Sequence, residues 1–131
     1  MKLITRDMDY AIRAISCIAS TKEKTVTVAA LSKRLDMPKP FLRKILQNLN
    51  KKGLLKSSKG AGGGFSLVVN PGRITVFHLM EIFQGRFQIS EHTFRGKLCP
   101  QVNTCKLKKR LDSMENFVEK ELKSITIESL I

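Results

Sequence analysis

A mainly α-helical fold carrying one small β-hairpin is predicted by three features of this chain. Apolar residues recur at helical spacing in five separate stretches. One of these, residues 41–52, divides into an apolar face and a cationic face. It is followed by two short β-like runs joined by Lys59-Gly60-Ala61-Gly62-Gly63-Gly64. A helical pair whose second helix is charged, then a glycine-tipped hairpin, is the plan of a winged helix-turn-helix.

The elements follow in order. Tyr10, Ala14, Cys17 and Ile18 step by four, three and one, which predicts a first helix over residues 9–19. Thr27 can cap a second helix through Ala30, Leu31 and Leu35. Pro38 and Pro40 restrict the backbone where the third helix begins. In that helix Phe41, Leu42, Ile45, Leu46 and Leu49 form one stripe expected to be buried, and Gly53 is the expected stop. Residues 54–58 and 65–69 read as the two strands, and Asn70-Pro71-Gly72 as a turn. Thr75 can cap a fourth helix through Phe83, stopped by Gly85. Residues 86–104 lack a period and read as a loop. From Leu107 the apolar positions Leu111, Met114, Val118, Leu122 and Ile125 step by three or four. That near-heptad spacing predicts a long amphipathic helix that pairs with a partner helix. The expected organisation is a DNA-binding unit over residues 1–85, a cysteine loop over 86–106, and a dimerisation helix with its tail over 107–131.

Charge narrows the function. The 131 residues carry a formal net charge of +13, and 42% are apolar, enough for a modest core. Residues 33–59 hold nine Lys or Arg opposed only by Asp36. Residues 1–60 are net +10 and residues 61–131 net +3, so the N-terminal half is expected to face a polyanion. The polar face of the third helix comprises Arg43, Lys44, Gln47, Asn48 and Lys51, with no carboxylate. In a major groove Arg and Lys can reach guanine edges, and Gln or Asn adenine. Arg43, Lys44, Gln47 and Asn48 are therefore candidate base contacts; Lys39, Lys51 and Lys52 are candidate phosphate contacts. In the wing, Gly60, Gly62 and Gly63 permit close backbone approach to DNA, and Lys59 supplies charge at the tip. The glycine run matches neither of the common nucleotide-binding loop patterns. No apolar run approaches the ~20 residues that span a bilayer. The start is no signal peptide, so a cytoplasmic location is expected. No catalytic triad, paired-carboxylate site or HExxH helix is present, and no enzymatic activity is expected. Cys17 on an apolar stripe and His78 on the fourth helix read as structural residues.

With these parts in view the chain resembles the Rrf2 family of bacterial transcription regulators, of the IscR, NsrR and CymR type. The resemblance lies in Met1-Lys2-Leu3 through Asp9-Tyr10-Ala11-Ile12-Arg13, in Phe41-Leu42-Arg43-Lys44-Ile45, and in Gly53-Leu54-Leu55 leading to Ser58-Lys59-Gly60-Ala61-Gly62-Gly63-Gly64-Phe65. It implies a homodimeric winged-helix repressor or activator on palindromic double-stranded DNA, with the long C-terminal helix crossing its partner's. The family usually has Arg where this chain has Lys59; the charge is kept and the bidentate fork lost.

Cys99 and Cys105 flank five residues in the loop before the long helix. In the resembling family this loop binds an iron–sulfur cluster through three cysteines, the first of which falls here at Thr93. His92 beside it, and Asp9 from the partner chain, are candidate replacements, so the resemblance implies a set of Cys99, Cys105, His92 and Asp9. Three other readings stay open: a thiol switch, a cofactor-free regulator controlled by a protein partner, and a zinc site one ligand short. An architectural DNA binder without sequence preference would use the same charge, and it would not need a two-faced third helix.

Overall fold

The computed structural model describes residues 2–91, 93–94 and 97–131. The chain runs α1 (Arg6–Ser20), α2 (Val28–Leu35), α3 (Lys39–Lys51), β1 (Leu55–Ser58), β2 (Gly64–Leu67), a 3-10 turn at Pro71–Arg73, α4 (Val76–Gln84), β3 (Thr93–Phe94), β4 (Lys97–Leu98), α5 (Lys106–Ser124) and a final 3-10 turn at Glu128–Leu130. The mainly helical architecture with an antiparallel hairpin after α3 is the one expected. The expected caps are in place. Thr27 accepts the Ala30 N–H at 3.0 Å, and Thr75 accepts the His78 N–H at 3.0 Å. Gly53 ends α3 at φ +79, a left-handed angle that costs glycine nothing.

The core is built around α1, α3 and α4. Met8, Ala11, Ala14, Ile15 and Ile18 of α1 are buried, whereas Tyr10 and Cys17 pack at its half-buried margin. The apolar face of α1 is thus turned toward Met8 and Ile15 from the stripe expected. Leu42, Ile45, Leu46 and Leu49 are buried under α3, but Phe41, expected among them, is 54% exposed. The reason is rotational. Phe41 lies about 80–100° around the helix from Leu49 and Leu42, at the edge of the stripe rather than on it.

Residues 86–104, expected as a loop, include the short antiparallel pair β3–β4, with Thr93 opposite Leu98. The tail supplies a further difference. Ile127 donates its N–H to the Ile74 carbonyl at 2.9 Å, Val76 donates to the Ile125 carbonyl at 2.9 Å, and Ile127 is fully buried. The chain therefore returns from α5 to seal the start of α4. Lys123 of α5 also lies 4.8 Å over the Phe77 ring. At the other end of α4, Gln84 accepts from the Thr5 N–H and donates to the Leu3 carbonyl, both at 3.0 Å, tying the N-terminal segment down.

Along α5 only Leu122 is buried. Leu107, Met114 and Phe117 are 65%, 54% and 67% exposed. Its C-terminal end packs on its own chain, with Val118 half-buried against the core, while Leu107, Met114 and Phe117 face outward.

Ile127→Ala should cost about 2–5 kcal/mol, the usual effect of emptying a fully buried aliphatic site. Urea denaturation monitored by circular dichroism measures it. A change below about 0.5 kcal/mol, the range of a surface substitution, would mean that the tail does not seal the core.

Candidate nucleic-acid interface

Two elements project from the same unit. The first is the outer face of α3. Lys39, Arg43, Lys44, Gln47 and Lys51 are exposed and Asn48 is half-buried. Because the opposite face is locked into the core, the cations cannot turn inward without leaving buried charge unpaired. Lys44, Gln47, Asn48 and Lys51 share a shallow groove of about 340 Å³ with Phe41, Ile45, Asp7 and Phe83. Lys39 and Arg43 lie outside that groove, on the other flank of the polar face. Asp7 is the one carboxylate lining it.

The second element is the wing. β1 and β2 pair from Leu55 opposite Leu67 to Ser58 opposite Gly64. The tip places Lys59, Gly60 and Gly62 in solvent, with Gly63 half-buried and its N–H bonded to the Gly60 carbonyl at 2.9 Å. Sequence reasoning missed what holds the wing. Val26 and Phe65 exchange both backbone hydrogen bonds at 2.8 Å, adding a third rung of chain to the hairpin. The Thr25 hydroxyl donates to the Gly62 carbonyl at 2.8 Å in a solvent-exposed hydrogen bond. A Cβ on Gly64 would lie 2.5 Å from the Val26 carbonyl oxygen, so this approach of two backbones requires glycine there. The β-branched triplet Thr25-Val26-Thr27 was the available signal for a strand-like segment.

The segment between α1 and α2 is anchored at its other end as well. Arg34 of α2 pairs with Glu23 at 2.7 Å and reaches the Thr21 hydroxyl at 3.5 Å. The hydrogen bond and charge of Glu23 hold the Arg34 guanidinium above its already high ordinary range, so it is a cation at any accessible pH.

The candidate metal donors among the described residues are Cys99, Cys105 and Asp9. Cys99 and Cys105 are both half-buried free thiols. Cys105 is the N-cap of α5, its sulfur accepting the Lys108 N–H at 3.4 Å. Asp9 is engaged by Arg13 of its own helix at 3.1 Å. His92 lies outside the described residues. Among the described residues no three His, Cys, Asp or Glu side chains converge as a metal site.

A model of the Rrf2 family, described as an iron-dependent transcriptional regulator, matches residues 4–131. A protein of Aquifex aeolicus (strain VF5), provisionally named an HTH-type transcriptional regulator, is 29% identical over 124 residues, covering 93% of this chain and 86% of its own. Among solved structures, CymR, the global cysteine regulator of B. subtilis, superposes with a TM-score of 0.78 at 22% identity, covering 99% of this chain and 96% of its own. T. potens IscR does so with a TM-score of 0.76 at 23% identity, covering 99% and 85%. At these identities the two structures share the fold.

Proposed function

Because the chain belongs to the Rrf2 family of transcriptional regulators, we propose that it binds palindromic DNA operators as a homodimer, reading bases with α3 and gripping the flanking groove with the wing. The observation that carries this reading is the α3 face itself: five polar residues held outward by four buried ones. Arg43, Lys44, Gln47 and Asn48 read base edges. Lys39, Lys51 and Lys52 neutralise phosphates, and Lys59 with Gly60, Gly62 and Gly63 lies along the backbone next to the minor groove. The open apolar stripe of α5, with Leu107, Met114 and Phe117, pairs with the same stripe of a second copy.

Control belongs to the Cys99–Cys105 loop. The family description names iron, but the loop of this chain offers two thiolates, Cys99 and Cys105, with Thr93 at the position of the third. The position of Cys105 favours thiol chemistry instead. Its sulfur caps α5, so modification at that atom acts directly on the first turn of the dimerisation helix. Exchange with a low-molecular-weight disulfide would leave a mixed disulfide on Cys105 and release one thiol. The cap would be weakened, and the dimer arrangement favoured by the intact cap would lose population.

Two experiments test the parts separately. On an operator selected from random duplexes, Arg43→Glu should lose at least about tenfold in affinity, the cost of a lost base contact, with a much smaller loss on random DNA. Equal losses on both would remove the base-reading role. After anaerobic purification the protein should be colourless and iron-free. Its operator affinity should change with oxidised glutathione, recover with dithiothreitol, and stay constant in Cys105→Ser. A coloured protein with matching iron and sulfide would overturn the thiol mechanism.

A further inference from the structure

We propose that Thr25 is a positioning residue for the DNA interface: its hydroxyl latches the wing tip and so sets where the tip meets DNA. The inference rests on the DNA-binding reading above and adds to it a residue outside both the recognition helix and the wing.

The tip is the least constrained part of the wing. The β1–β2 ladder ends at Ser58 opposite Gly64. Beyond it, residues 59–63 contain three glycines, which sample many conformations when untied. One bond inside the tip, from Gly63 to Gly60, shapes the turn but says nothing about its direction. The bond from Thr25 to Gly62 is different. It runs to a segment that belongs to the helical unit, because Thr27 caps α2 two residues later and Arg34 of α2 grips Thr21 and Glu23. The Val26–Phe65 bridge fixes the base of the wing to the same segment. Base and tip are thus referenced to α2, and α2 packs against α3. The separation between the recognition helix and the wing tip becomes a property of the fold, and the tip meets DNA without first being ordered.

The latch is specific chemistry. A hydroxyl at position 25 can donate to the Gly62 carbonyl, and Val at the same position keeps the shape and the β preference while removing the donor. The test uses full-length protein and an operator selected by the wild type from a random pool. Affinities are measured for Thr25→Val, Thr25→Ser, Lys59→Ala and the double variant Thr25→Val with Lys59→Ala. Thr25→Val should weaken operator binding about three- to tenfold, the worth of one hydrogen bond. Thr25→Ser should bind like the wild type. In the Lys59→Ala background, where the tip has lost its charge, Thr25→Val should have little further effect. The thermal midpoint of each variant identifies any that fail to fold; should Thr25→Val do so, Thr25→Ala takes its place in the same cycle. Wild-type affinity in Thr25→Val, or a full additive loss beside Lys59→Ala, would overturn the latch. Failure of the DNA-binding reading has another signature: no sequence is enriched from the pool by the wild type itself.

Discussion

The rest of the molecule depends on the burial of one face of α3. Leu42, Ile45, Leu46 and Leu49 are each 4% exposed or less. Each contributes about 1.5–3 kcal/mol by leaving water. Turning the helix by one residue, about 100°, would bring Arg43 or Lys44 toward the core, where an unpaired charge is far more costly than that gain. The apolar spacing thus fixes the direction of the cations. Function at this interface is the solvent-facing half of a packing problem whose other half is the core of α1, α2 and α4.

Around this helix long-range hydrogen bonds, made beside buried apolar residues, close the unit. Val26 with Phe65 holds the wing, and Ile74 and Val76 with Ile125 and Ile127 hold the tail. Gln84 holds Leu3 and Thr5. Each joins segments far apart in sequence, and together they close the unit around residues from both termini. α5 leaves this unit as an arm. Its last turns are secured by Leu122 and by Lys123 over Phe77, and its first turn is capped by the Cys105 sulfur. Cys105 thus sits at the end of the arm away from the contacts of Leu122 and Lys123.

Much of this was legible in the sequence because local rules decided it. Thr27 and Thr75 announced their helices as caps, Gly53 and Gly85 ended theirs, and the glycine run marked the hairpin. Phe41 was misjudged because an apolar residue at the edge of a stripe is assigned by a difference of some tens of degrees, which pattern alone does not resolve. The ties of Thr25, Val26, Gln84 and Ile127 were not legible for another reason: each is a long-range pairing with no periodic trace. The end of the long helix at Ser124 was legible, but Ile125, which continues its apolar spacing, belongs to the short extended segment that follows. The cysteine loop was found by spacing, yet the role of the Cys105 sulfur as a helix cap emerges only from its position.

The central claim is that a rigid unit presents a reading helix and a latched wing in fixed relation, twice per operator. Hydroxyl-radical footprinting on the selected operator tests it most directly. The account predicts two symmetry-related blocks of protection whose centres are separated by about 34 Å or a multiple of it. Each block should be accompanied by a minor-groove protection that weakens in Lys59→Ala. Featureless protection that spreads along the duplex as protein is added, with no twofold symmetry, would contradict it.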